Sequence, residues 1–515
     1  MLALPVARTA FGQSLDLEET TIAALADGFR SGRFSARSVA EWYLARIDSM
    51  DKKGPRVNTV IELNPEALAI ADKLDRERQT TGVRGPLHGI PILIKDNIDT
   101  ADRMSTTAGS LALAGSIAAR DSFVAQRLRA AGAVILGKTN LSEWANFRST
   151  HSVSGWSGRG GLTHNPYALD RNPSGSSSGS GAATSANFCA VAVGTETDGS
   201  VTAPASANGL VGIKPTVGLV GRSGIIPISH SQDTAGPMAR TVRDAAILLT
   251  AMAGADPRDP AAKASAGKAQ TDYTQFLDPQ GLKGARLAVA RKFFGGNAAT
   301  DRIMEECLAE MKRQGAILVD PADLPSHGKY DDDELQVLLY EFKAGLNAYL
   351  AALGPKARVH TLADLIAFNR EHRAGEMPYF EQEIFEKAQA KGPLTEKAYL
   401  DARAKCVKLS RAEGIDAVIA KHKVVAIVAP TMTPAPFNDL VLGDPNLPAC
   451  TTPAAVAGYP HITVPAGLVR GLPVGISFFG PAWSEPVLLK LAYSFEQATK
   501  ARRPPRFAAT ADLRG

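Results

Sequence analysis

The sequence predicts an α/β fold with a largely parallel or mixed sheet, and three observations point there. Short continuous apolar runs recur along the chain and read as buried strands. Segments with helical spacing and cap residues alternate with them. The composition is that of an ordinary globular chain, 45% hydrophobic and 21% charged over 515 residues. At ~150 residues per domain, that length suits about three domains or one large α/β domain. It also buries a substantial core without metals or disulfides.

Taken in order, residues 20–50 read as helices, with Ser35 as an N-cap and Val39, Trp42, Tyr43 and Ile47 on one face. The run from Gly89 to Asp96 (GIPILIKD) reads as a buried strand that delivers Lys95 at its end. Residues 121–131 look helical and Ala133–Leu136 strand-like. Residues 145–181, rich in Gly, Ser, Asn and Arg, read as a long loop. Small apolar residues follow up to Val193, then a turn-like stretch from Gly194 to Ser200. Thr241 and Asp244 have capping-box spacing for a helix through Leu249. Residues 285–320 read strand, helix, strand (Arg286–Ala290 and Ala316–Val319). Residues 330–412 are charged and helix-rich without strand alternation, the pattern of a helical insertion. A buried strand at 424–429 stops at Pro430; two short apolar runs occupy 462–480, and a helix lies near 486–499.

Composition excludes several classes. It does not fit a disordered, collagenous or coiled-coil chain. Lys plus Arg number 57 against 52 Asp plus Glu, with no basic run, so neither a nucleic-acid nor a membrane-surface partner is expected. The four cysteines form no C-x-x-C pair, which argues against zinc or a disulfide framework and suits a reducing compartment. No apolar stretch approaches the ~18 residues of a membrane span. Met1–Ser14 is apolar but has no basic leader, and reads as a frayed terminus. A cytoplasmic location is expected, with a periplasmic or secreted one as the alternative if that stretch belongs to a signal peptide.

The segment GAVILGKT at 132–139 satisfies the phosphate-loop pattern G-x-x-x-x-G-K-[ST], and Asp320 ends a strand as a magnesium-holding Asp would. The four residues between the glycines should form the phosphate cradle, yet they are strand material, and the residues before Gly132 look helical. A strand followed by a turn is the better reading, and nucleotide binding is a remote alternative.

The run PSGSSSGSG at 173–181 could be a flexible linker. Against that, it feeds an Ala-rich apolar segment and then a second Gly/Ser loop, Gly194–Ser200. Glycine lets successive backbone N–H groups point at one place, as an oxyanion hole needs. A serine there can be a nucleophile if a base is near. No histidine lies between residues 165 and 229. The elbow pattern G-x-S-x-G is matched at Gly175–Gly179, but it follows a loop rather than a strand. Lys95 is the alternative base, because desolvation disfavours the ammonium and leaves a neutral amine near neutral pH. The residues alone thus allow a Ser–Lys hydrolase without bringing the two groups together.

The stretch from Gly89 to Arg240 resembles the amidase signature family. The matching pieces are GIPILIKD at 89–96, GKTNLSE at 137–143, the Ser-rich run, TETDGS at 195–200, GIKPT at 212–216 and SQDTAGP at 231–237. Downstream, AGYPHITVPAG at 457–467, LPVG at 472–475 and FEQAT at 495–499 continue it. The resemblance implies the amidase signature fold: a large mixed, mostly parallel central sheet covered by helices on both faces. It implies a single domain over 1–515, with a catalytic core at about 60–320 plus 413–505 and the helical insertion at about 330–412. It also implies a Ser–Ser–Lys triad: Lys95 as base, Ser176 as the bridging serine after a cis peptide, and Ser200 as nucleophile. The 24 residues from Ser176 to Ser200 match the family's spacing between its two serines, so the resemblance implies Ser176, with Ser177 as its rival. Backbone N–H groups of Thr197, Asp198 and Gly199, with that of Ser200, would form the oxyanion hole. Lys138 and Lys214 are taken as structural, and neither cofactor nor metal is implied.

Within the family, the segments at 140–149, 154–161 and 165–172 most resemble peptide amidase members, which remove the C-terminal amide of peptides. A small-molecule or peptide amide is the implied substrate, for a monomer or homodimer. The main alternative is an amidotransferase A-type subunit that releases ammonia from glutamine within a complex. Such members usually carry Arg two residues after the nucleophile, where this chain has Thr202. Substrate selection is expected in loops and the insertion, including the block Leu335–Leu350.

Overall fold

The computed structural model describes residues 15–513; the expectation for Met1–Ser14 lies outside the described residues. Eleven strands form one sheet in the order β1-β3-β2-β6-β8-β7-β12-β13-β11-β9-β10. They are β1 (Val60–Leu63), β2 (Pro91–Lys95), β3 (Val134–Thr139), β6 (Val191–Glu196), β7 (Val211–Lys214), β8 (Thr234–Ala239), β9 (Arg286–Val289), β10 (Ile317–Val319), β11 (Ala426–Pro430), β12 (His461–Val469) and β13 (Leu472–Phe479). Two further strands, β4 (Trp156–Ser157) and β5 (Gly161–Leu162), pair only with each other.

The α/β class holds, but the sheet is not mostly parallel. The parallel pairs are β3-β2, β2-β6, β11-β9 and β9-β10. The other six neighbouring pairs are antiparallel: β1-β3, β6-β8, β8-β7, β7-β12, β12-β13 and β13-β11. The reason is the connections. A parallel pair needs a crossover of a dozen or more residues, usually a helix. Strands β12 and β13 are instead joined by Arg470 and Gly471, both with positive φ, which is the requirement of a tight hairpin turn. A run of apolar residues reveals a strand but not its direction.

Local chemistry explains the helices. Ser35 caps helix Ala36–Arg46 through a reciprocal capping box with Ser38. Thr241 accepts from the Asp244 amide, while the Asp244 carboxylate receives the Ile22 amide from a distant helix. Between residues 331 and 410 the regular structure is helical: Asp331–Ala352, Leu362–Glu371, Arg373–Glu376, Glu383–Gln389 and Lys397–Ser410. Leu339, Phe342, Leu346 and Leu350 of its first helix pack with Trp144 and Phe147, which follow β3, and with Ile226 and Ile228, which precede β8. No helix among the described residues is long and apolar enough to cross a membrane.

Two loop expectations need correction. The stretch 145–181 contains the β4-β5 ribbon, and a helix, Ser178–Ser185, begins inside the Ser-rich run. Gly194–Glu196 belong to β6, so the turn before Ser200 starts at Thr197. Gly194 fits the strand because a Cβ there would lie 2.6 Å from the Ser177 hydroxyl, which packs against it.

Candidate active site

Lys95 ends β2, a strand in which every residue is buried. Its Nζ donates to Ser176 Oγ at 2.7 Å, to the Thr195 Oγ1 at 2.9 Å and to the Thr195 carbonyl at 3.2 Å. Strand β6 runs parallel to β2 and presents Thr195 at the same end of the sheet. Asn97 completes the group by donating to Thr195 Oγ1 at 3.0 Å. Burial pulls the Lys95 pKa down from 10.5 to about 7, and the nearby carboxylates of Glu196 and Asp233 oppose only part of that fall.

Ser176 and Ser177 are both fully buried, but their hydroxyls do different things. The Gly175–Ser176 peptide is cis, and Ser176 faces Lys95. The Ser177 hydroxyl donates to the Thr195 carbonyl at 3.1 Å and accepts from the Thr195 amide at 3.1 Å, so it braces β6. The Ser177 amide in turn donates to the Ser200 carbonyl at 3.1 Å, which seats Ser200 beside the Ser176–Ser177 segment. All three triad positions expected from the sequence therefore lie in one neighbourhood.

The turn carrying Ser200 is held from several sides. Glu196 Oε2 accepts the amides of Val201 at 2.7 Å and Thr202 at 2.9 Å, clamping the chain just beyond Ser200. Thr197 donates its hydroxyl to Asp233 Oδ1 at 2.7 Å. Thr452 donates to Asp198 Oδ2 at 2.6 Å. Burial raises the carboxyl pKa values of Asp198 and Asp233 to about 6. Gly199 has φ +75°, and a Cβ there would lie 3.0 Å from Thr451 Oγ1. Among the described residues, the amides of Asp198, Gly199 and Ser200 make no backbone hydrogen bond.

Sequence reasoning did not single out Thr195 or Asn97. Both were visible in outline, Thr195 inside the matched run and Asn97 two residues past Lys95, but only the parallel pairing of β2 with β6 brings Thr195 to the lysine, with Asn97 bonded to Thr195 Oγ1. Lys138 donates to the Ile98 carbonyl at 2.7 Å and to Thr106 Oγ1 at 2.8 Å, a structural role. Val134–Thr139 is strand β3, so the segment between Gly132 and Gly137 forms no phosphate cradle. Lys214 is fully buried and donates to the Pro215 carbonyl at 3.3 Å, and burial lowers its pKa to about 8.

The chain is similar to known proteins over nearly its whole length. Residues 38–489 match the family model described as Amidase. A probable amidase of Arabidopsis thaliana is 44% identical over 505 residues, covering 96% of this chain and 93% of that one. The solved structure of a peptide amidase in complex with the competitive inhibitor chymostatin is 51% identical with a TM-score of 0.93, covering 95% of this chain and 99% of that one. The A-type subunit of the glutamyl-tRNA(Gln) amidotransferase from Acinetobacter baylyi is more distant, at 34% identity over 497 residues, covering 94% of this chain and 97% of that one. This chain belongs to the amidase family, and it is an amidase, a hydrolase of amide C–N bonds.

Proposed function

We propose that Lys95, Ser176 and Ser200 hydrolyse a carboxamide to a carboxylate and ammonia, with C-terminal amides of peptides as the substrate class. The observation that carries the chemistry is the 2.7 Å contact between Lys95 Nζ and Ser176 Oγ in a fully buried setting. Neutral Lys95 takes the proton of Ser176 as Ser176 takes that of Ser200, and Ser200 Oγ attacks the carboxamide carbon. The backbone N–H groups of Thr197, Asp198, Gly199 and Ser200 receive the oxyanion. Ser176 returns the proton to the leaving nitrogen, ammonia departs, and water hydrolyses the acyl-serine to the carboxylate.

The substrate class rests on the 51% identity to a peptide amidase that binds chymostatin. Thr202 also supports it: its amide and hydroxyl are both bonded to Glu196, so no cation stands there to hold a small anionic amide. The test is a panel of peptide, fatty-acyl, aryl, short aliphatic and glutamine amides, assayed on purified protein with Ser200→Ala as the blank. Peptide amides are expected to turn over fastest without any partner protein. Turnover of glutamine alone, or only after a partner is added, would overturn the peptide-amide reading.

A further inference from the structure

The first helix of the insertion, Asp331–Ala352, places Glu334 and Glu341 seven residues apart. Seven residues are two turns, so both side chains leave the same face. Each reaches the loop at Ser229–Asp233. Glu334 Oε1 accepts from Gln232 Nε2 at 2.8 Å, and the same nitrogen donates to the Thr197 carbonyl at 3.3 Å. Glu341 accepts from the Ser229 hydroxyl at 2.5 Å and from the Ser231 amide at 3.0 Å and hydroxyl at 2.5 Å. That holds the turn in which the Asp233 carboxylate accepts the Ile228 and Ser229 amides and the Thr197 hydroxyl. Two chains of hydrogen bonds from one helix therefore end on one residue: the carbonyl of Thr197 by way of Gln232, and its hydroxyl by way of Asp233.

We infer that Glu334 and Glu341 are positioning residues that fix Thr197, and with it the turn that carries Ser200, from the helical insertion. The inference rests on the reading of Thr197–Ser200 as the oxyanion turn. It gives the helix that carries the block Leu335–Leu350 a role besides the substrate selection expected there: the helix is a strut for the catalytic turn. A third contact fits that role. Tyr349, eight residues beyond Glu341, donates at 2.9 Å to Asp99, in the loop that follows Lys95. The geometry has a catalytic consequence because backbone donors act on a transition state only when held in place beforehand, and a displacement of about 1 Å costs about a hundredfold.

The test is steady-state hydrolysis of the amide turned over fastest in the panel, with thermal unfolding measured on each variant. Glu334→Leu and Gln232→Leu should each lower kcat by about tenfold to about a hundredfold with KM within about threefold of wild type. The double variant should lose no more than the worse single, because both act through one chain. Glu334→Gln, which keeps an oxygen to accept from Gln232, should recover most of the loss. Glu341→Gln should lower kcat in the same manner; if it fails to fold, the Glu334 arm decides. A kcat near wild type in both Leu variants, or losses that simply add, overturns the inference. Amide hydrolysis retained by Ser200→Ala would instead remove the reading beneath it, whatever the helix variants do.

Discussion

The Nζ of Lys95 lies 2.7 Å from the Oγ of Ser176, while the hydroxyl of the adjacent Ser177 is bonded both ways to the backbone of Thr195. Two neighbouring serines in a run of five thus have separate duties. Ser176→Ala is expected to lower kcat/KM by about 10² to 10⁴, the usual worth of a positioned proton-transfer group. Ser177→Ala should reduce the rate less and cost about 1–3 kcal/mol of stability, because it leaves the buried Thr195 amide without a partner. Kinetics and urea unfolding of the two variants separate the roles; equal kinetic losses would contradict the division.

Activity should rise with pH through about 7. Lys95 has a pKa lowered by burial to about 7, and only its neutral form can accept a proton. Below that value kcat/KM should fall about tenfold per pH unit. A pH–rate profile on an uncharged peptide amide checks this. A profile flat from pH 5 to 8 would exclude Lys95 as the base.

The same lysine should weaken the fold at neutral pH. Its pKa is about 7 when folded against 10.5 ordinarily, so the unfolded chain binds more protons between those values. Stability from this group therefore falls as pH drops from about 10.5, and the loss levels off below about 7. Lys95→Met is expected to be inactive yet more stable than wild type at pH 7, by on the order of a few kcal/mol. The advantage should shrink as pH approaches 10, which urea midpoints at pH 7 and pH 9.5 would reveal.

Thr195 Oγ1 accepts from both Lys95 and Asn97, at 2.9 and 3.0 Å. Replacing it with the isosteric Val removes that shared acceptor. Thr195→Val should lower kcat by about tenfold to about a hundredfold through misplacement of the amine. Thr195→Ser, which keeps the oxygen, should recover most of the rate. A Val variant with unchanged kcat would show that Ser176 and the Thr195 carbonyl suffice to hold the lysine.

Much of the fold was legible because its signals are local. Ser35 caps its helix, the apolar run before Lys95 is a buried strand, and the charged stretch after residue 330 is helical, as residue spacing and cap chemistry require. Strand direction was not legible, since an apolar run looks the same whichever way the strand runs. The end of β6 was misplaced for a related reason: Gly194 reads as a turn residue until Ser177 is seen packed against it.

By itself, the chain determined which residues could do the chemistry: a lysine at the end of an apolar strand, serines among glycines, and a second glycine turn ending in Ser200. It also determined the helical character of residues 331–410. Only the tertiary structure decided which serine meets the lysine, that Thr195 holds the amine while Asn97 bonds Thr195, and that Glu334 and Glu341 connect to Thr197 by way of Gln232 and Asp233. The reason is distance along the chain. Lys95 and Ser176 are separated by 81 residues, and Gln232 and Glu334 by 102. Caps and periodicities act over one or two turns, whereas these contacts exist only where parallel pairing of β2 with β6, and packing of the insertion on the sheet's loops, bring distant segments together.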